Sequence, residues 1–210
     1  MFCTTPLLLL AFGSDAPAPD YRSELGVRYA GELRLLADRE GVEAAMVRAA
    51  EIESHVGPLL EVRYEAALAR NQAGAIRPAI QAYGRVLALD PDHVGALYDR
   101  GELWLVAGSP ADRSKARADL ERAETLRPDH WAIPYRLALL AGQEQDQEAM
   151  VDALTRALRS GLELGLLATD PAWNTLLRDA ESRPVLIRFV RTYGSDALVQ
   201  ELERRPGIQR

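Results

Sequence analysis

The sequence has few of the residues that build disulfides, metal sites or an aromatic core. Its 210 residues include one cysteine, three histidines and 6% aromatic side chains. Because Cys3 is alone, an internal disulfide framework and a thiolate zinc site are both excluded. No apolar run reaches the roughly 18 residues that a membrane-spanning helix needs. A stable membrane span is therefore not expected.

Basic charge is also scarce. The chain carries 31 acidic and 25 basic residues and a formal net charge of −6, which offers no general attraction for a nucleic-acid backbone. It lacks the glycine-rich nucleotide loops, the His-Glu-x-x-His zinc motif and the Gly-x-Ser-x-Gly nucleophile motif. The sequence therefore predicts a non-enzymatic protein with no catalytic residues, no cofactor, no metal site and no nucleic-acid partner.

Short, helix-forming side chains are abundant instead. The chain is 48% hydrophobic, with many alanines and leucines. Such side chains suit helices that pack at close range. The sequence therefore predicts an all-α protein.

Two segments share a pattern 37 residues apart. Residues 86–93 and 123–130 both read small or apolar-x-x-Leu-x-Pro-Asp-His, so that one helix ends at the proline and another follows. We attribute the start of the second helix to Asp92 and Asp129 as capping residues. The pattern resembles the tetratricopeptide repeat, in which about 34 residues form two antiparallel helices with a proline near the end.

The resemblance covers most of the chain once Pro91 is placed at repeat position 32. It implies a right-handed helical-repeat solenoid of antiparallel helix pairs over residues 21–164, with a C-terminal helical cap. Small residues at positions 8 and 20 would let the two helices of a pair touch. The repeats are expected at 26–59, 60–93, 94–130 and 131–164, the third with a three-residue insertion and the outer two degenerate.

Loop and terminal segments complete this prediction. In the third repeat, Ser109 is a candidate helix cap and Pro110 the first residue of a lengthened second helix. Residues 165–210 leave the repeat pattern but stay helical in character, with a helix start expected at Pro171. We expect them to cap the solenoid, because the last repeat would otherwise leave its apolar side in water.

The N-terminal 20 residues admit two interpretations. An apolar run followed by a proline-rich stretch is typical of a signal segment and linker, and Ala11 and Gly13 are the small residues that cleavage before Ser14 would need. No Lys or Arg precedes the run, which favours a disordered tail. A signal segment would make the protein periplasmic or otherwise exported, and a disordered tail would leave it cytoplasmic.

In the tetratricopeptide family, positions 2, 5, 9, 12 and 13 of the first helices face a concave groove that binds a protein or peptide. The resemblance implies a scaffold or adaptor that uses this groove. Position 5 holds a column of three tyrosines, Tyr64, Tyr98 and Tyr135, which either contacts a partner or only packs the helices. The corresponding residues are Glu61, Tyr64, Leu68, Asn71, Tyr98, Glu102, Tyr135 and Leu139, with Val106 further along the groove.

The partner of such a groove is expected to be a neutral or basic protein segment, because Glu61, Glu65, Asp99 and Glu102 lie near its middle. The alternative is a structural subunit of a larger assembly, including one in the cell envelope, that uses convex or terminal surfaces. His55, His93 and His130 all fall on turns between repeats and are not expected to converge on a metal.

Overall fold

The computed structural model describes residues 21–204, and every regular element in this range is helical. Residues 1–20, which admit either a signal segment with a linker or a disordered tail, lie outside the described residues, as do residues 205–210. No helix in the described part of the chain combines the length and apolar character needed to cross a membrane.

Eight helices form four consecutive pairs. Each helix packs against the next one along the chain, and α1 also stacks on α3 and α5 on α7. The all-α, helical-repeat fold class is confirmed. The helices are α1 Tyr21–Glu40, α2 Val42–Val56, α3 Leu60–Gln72, α4 Ile76–Leu87, α5 Val94–Ala107, α6 Pro110–Leu126, α7 Ala132–Gln143 and α8 Gln147–Arg159.

Small residues lie where the paired helices approach each other. Ala67 of α3 and Ala79 of α4 are both fully buried. A Cβ atom placed on Gly101 of α5 would lie 2.9 Å from Cγ of Leu120 and 3.6 Å from the carbonyl oxygen of Ala116, both in α6. The close approach of α5 to α6 therefore depends on the absence of a side chain at position 101.

Side-chain caps start the helices of the third repeat. Ser109 accepts a hydrogen bond from the backbone N–H of Asp112, and Pro110 is the first residue of α6, as predicted. The helix is 17 residues long, against 12 for α4.

The capping role that we assign to Asp92 is wrong. His93 caps α5 instead, because its Nδ1 atom accepts from the backbone N–H of Ala96 at 3.0 Å. Asp92 forms an ion pair with Arg122 at 2.6 Å. Asp129 likewise makes no cap and pairs with Arg127.

The buried side chains form two apolar clusters that share α3. The smaller cluster joins Leu33 of α1 and Ile52 of α2 to Val62 of α3. The larger one begins at Ala67 on another side of α3 and continues to Leu202. The first helix pair thus has a core of its own.

Polar contacts repeat at intervals of about one repeat. Arg77 of α4 pairs with Asp112 of α6 at 3.0 Å, and Arg156 of α8 pairs with Glu124 of α6 at 2.8 Å. Because each contact joins one pair to the next, these bonds add to the apolar packing between neighbouring pairs.

The C-terminal segment covers the last pair. It consists of α9 Leu166–Thr169, a 3-10 turn at Pro171–Trp173, α10 Asn174–Arg178, α11 Ser182–Tyr193 and α12 Asp196–Arg204. Pro171 starts the turn, and the Asp170 carboxylate caps it by accepting from the N–H of Ala172. Helix α11 packs against α8, while α12 packs against α9 and α11.

Candidate protein-binding groove

The groove residues expected from the resemblance lie on the first helices of three successive pairs. Six of them, on α3 and α5, keep part of their surface exposed. Tyr135 and Leu139 on α7 are only 2% and 4% exposed. These two side chains therefore have almost no surface to offer a partner. The six accessible residues are Glu61, Tyr64, Leu68, Asn71, Tyr98 and Glu102.

The two accessible helices present matching stripes. Tyr98, Glu102 and Val106 lie four residues apart on α5, and residues at this spacing share one face of a helix. On α3 the equivalent stripe is formed by Tyr64 and Leu68, 34 residues earlier than their α5 counterparts. Val106 is 66% exposed, so the stripe on α5 ends in an uncovered apolar side chain.

The tyrosine column helps to hold the repeats together. The Tyr64 hydroxyl donates to the Asp99 carboxylate at 2.9 Å, and its ring lies 4.6 Å from that of His93. Burial and the nearby charge of Asp99 raise the pKa of Tyr64 above its usual value. Burial likewise raises the pKa of Asp99, against the effect of the hydroxyl bond. Tyr64 therefore joins α3 to α5, and its hydroxyl hydrogen is already donated within the protein.

Tyr135 is covered by the cap. Its ring lies 5.3 Å from that of Trp173 and 6.0 Å from that of Trp131, and its hydroxyl donates to Asp170 at 3.2 Å. Asp170 lies 35 residues after Tyr135, as Asp99 does after Tyr64. Asp170 was not identified from the sequence as a residue that links helix pairs, although this common spacing is a signal for it.

Tyr98, on α5, is partly exposed. Burial and the charge of Glu102 raise its pKa to about 12, while Arg136 acts in the opposite direction. Its ring lies 6.3 Å from that of His130. The hydroxyl is therefore protonated at neutral pH and faces a charged pair on the groove surface.

The groove carboxylates have partners within the protein. Glu65 is buried and accepts two hydrogen bonds from Arg34, at 2.7 and 3.0 Å. Arg136 pairs with Glu102 and lies 2.8 Å from Asp170. Burial disfavours the charge on Arg136, but Glu102 and Asp170 outweigh it and hold the pKa of Arg136 above its usual value. Much of the acidic charge expected in the groove is thus neutralised.

The three histidines stay apart in structural roles. His93 caps α5, and Nδ1 of His55 lies 2.7 Å from the carbonyl oxygen of Glu51 in its own helix. No cluster of three potential metal-ligating side chains occurs within residues 21–204.

Known proteins resemble the chain in fold. No protein-family model and no curated protein matches the sequence. Among solved structures, MamA 41-end from Desulfovibrio magneticus RS-1 aligns with a TM-score of 0.64 and 22% identity, over 89% of this chain and 98% of that one. Another MamA crystal structure aligns with a TM-score of 0.63 and 13% identity, over 81% of this chain and 94% of that one.

A putative kinesin light chain from Podosopora anserina, described as having nearly identical TPR-like repeats, also aligns. Its TM-score is 0.53 and its identity 18%, over 88% of this chain and 93% of that one. At such identities the likeness concerns the fold alone. Stacked helix pairs with a repeating register of small residues, and these structural neighbours, identify the fold of the chain as the tetratricopeptide type.

Proposed function

We propose that the chain is a non-enzymatic scaffold that binds an extended segment of another protein along α3 and α5. The fold is one that serves protein interaction, since stacked helix pairs create an extended surface without a closed active-site cavity. The contact surface would comprise Glu61, Tyr64, Leu68, Asn71, Tyr98 and Glu102, with Val106. Tyr135 and Leu139, which are buried on α7, would support this surface from the adjoining helix pair.

The observation that carries this proposal is the exposed Val106 in line with Tyr98 and Glu102. An apolar side chain that is 66% exposed on a groove face gains free energy when a partner covers it. The half-exposed Tyr98 and Leu68 add apolar contact area, and rigid aromatic side chains are frequent anchors at interfaces.

A neutral or basic segment remains the favoured partner. Glu61 keeps part of its surface exposed, whereas Glu65 is buried against Arg34 and Glu102 pairs with Arg136. The charge preference thus rests on the Glu61 carboxylate. Such a contribution would weaken with added salt, because exposed charges are screened.

Two valines of nearly equal exposure provide a matched test. Val106 of the groove is 66% exposed, and Val47 on α2 is 61% exposed. Lysine at either site adds the same charge to an exposed helix position. Partners are first captured from the native cell with the wild-type chain, and the Kd of the purified partner is then measured for each variant. We expect Val106→Lys to weaken binding about tenfold or more and Val47→Lys to change it less than about twofold.

The alternative is a structural subunit that joins a larger assembly through its outer surface. The exposed Leu35 of α1 and Val47 of α2 favour it, because both leave apolar surface uncovered on the first helix pair. In the same experiment, a loss of binding confined to the Val47→Lys variant would contradict the groove proposal and support this alternative.

A further inference from the structure

A cleft lined by charged side chains lies outside the groove. A cleft of about 260 Å³ opens between α2, α3 and α4. Its α3 residues include Ala66, two positions from both Tyr64 and Leu68, so it faces roughly the opposite side of that helix. Small residues form much of its wall, and the lining includes Ala49, Ala66, Ala82, Arg63, Arg70 and Arg85.

The cleft holds three arginines but one carboxylate. Glu53 pairs with Arg63, whose Nε atom lies 2.7 Å from Oε1 of the carboxylate. Arg70 donates to the carbonyl oxygen of Ala66 in its own helix at 3.1 Å. Among residues 21–204, Arg70 and Arg85 take part in no ion pair with a carboxylate, whereas Arg63 does. Two guanidinium groups therefore line the cleft without a carboxylate paired to either.

The two guanidinium groups influence each other. Burial and the positive charge of Arg85 lower the pKa of Arg70, and Glu43 offsets this only in part. Arg70 nevertheless stays charged at neutral pH, because an arginine pKa lies far above 7. The repulsion between the two guanidinium groups is unfavourable, and a bound anion would offset it.

Equivalent positions elsewhere in the solenoid show that this charge is not a feature of every repeat. Arg70 is at position 11 of its repeat, where the next repeat has Trp104 and the last has Ala141. The cleft beside Ala141, between α6, α7 and α8, has a volume of about 170 Å³. Its arginines are paired, Arg117 with Glu144 and Arg156 with Glu124.

We propose that the cleft between α2, α3 and α4 is a carboxylate-binding site that takes an Asp or Glu side chain of a protein partner. Guanidinium groups bind carboxylates through paired, charge-assisted hydrogen bonds. Arg85 is exposed at the rim and Arg70 is half-buried, so a side chain can enter while its main chain stays outside. The site is independent of the groove and recognises the opposite charge from the one favoured there.

The test uses a labelled, end-blocked hexaglutamate peptide, with hexaglutamine as the uncharged probe. Binding to the full chain is measured by fluorescence anisotropy at low salt. The double variant Arg70→Gln, Arg85→Gln is compared with Arg178→Gln, Arg188→Gln, which removes the same charge from exposed sites on α10 and α11. We expect the cleft variant to bind about tenfold more weakly or worse, the control within about twofold, and hexaglutamine not at all.

A third variant, Arg70→Leu, guards against loss of fold. Position 11 holds Leu36 in the first repeat, so leucine suits the packing there, and the variant should fold and still lose binding. The proposal is overturned if hexaglutamate does not bind at millimolar concentration or if both double variants lose affinity equally. It is also overturned if succinate or inorganic phosphate competes at the peptide's own concentration, since the site would then serve small anions.

Discussion

At Gly101, a single missing side chain sets the distance between two helices. A Cβ atom there would lie 2.9 Å from Leu120, which is fully buried and has little freedom to move. Gly31 on α1 offers the contrast, because nothing lies within 4 Å of the equivalent Cβ. The two glycines therefore separate the effect of packing from that of helix propensity.

We expect the overpacking in Gly101→Ala to destabilise the protein by about 1–3 kcal/mol. The higher helix propensity of alanine would offset part of this loss. Gly31→Ala should stabilise it by about 0.5–1 kcal/mol, because alanine restricts the unfolded chain and favours the helix. Chemical denaturation followed by circular dichroism measures both. A stabilising Gly101→Ala would show that α5 and α6 are less tightly packed than described.

Residue-level prediction from the sequence succeeded for only some of the contacts within one repeat. Ser109 caps α6 as expected, through a local bond to Asp112, whereas α5 is capped by His93 and not by Asp92. The burial of Tyr135 could not be predicted in this way, since it depends on Trp173 in a segment outside the repeat register. The unpaired charge of Arg70 and Arg85 was missed because the two residues come from different helices.

At the scale of elements, the C-terminal segment packs against the last helix pair. Its 3-10 turn places the Trp173 ring against Tyr135, and α10 places Leu176 against Gly142, where an added Cβ atom would clash with the Leu176 side chain. Asp170 of the same segment binds both Tyr135 and Arg136. The groove side of α7 is thereby closed, which leaves α3 and α5 as the accessible part.

Trp173 and Trp131 give a matched test of this closure, because both rings contact Tyr135. Trp173 is fully buried and Trp131 is partly exposed. We expect Trp173→Ala to cost about 3–5 kcal/mol of unfolding free energy by leaving a cavity, and Trp131→Ala clearly less. Denaturation curves of the two variants check this. Equal losses of unfolding free energy would mean that the C-terminal segment does not dominate the packing around Tyr135. If Trp173→Ala does not fold, the comparison is made with Trp173→Leu.

At the scale of the whole molecule, the core is continuous only from α3 onward. The first pair, α1 and α2, forms its own apolar cluster with one side of α3, and ion pairs such as Arg34–Glu65 and Arg63–Glu53 join it to the next helices. In a solenoid each pair depends mainly on its neighbours. The first pair is therefore expected to open without unfolding the rest.

Hydrogen exchange of the native protein tests this expectation. Amides of α1 and α2 should exchange faster than those of α5 to α8, since local opening exposes only the smaller cluster. Ile52→Ala should lower protection in the first pair alone, whereas Leu120→Ala, in the larger cluster, should lower it across α4 to α8. Uniform protection, or a global effect of Ile52→Ala, would instead indicate one cooperative unit.

Position 11 of the repeats has a consequence for how such a chain diversifies. The same place in the fold holds leucine, arginine, tryptophan and alanine in successive repeats, at Leu36, Arg70, Trp104 and Ala141. A gene for such a protein could therefore gain or lose a charged cleft through a single codon while the helices keep their arrangement. Duplicated repeats that tolerate different residues at this position can acquire separate ligands, one repeat at a time, while the protein stays folded at each step.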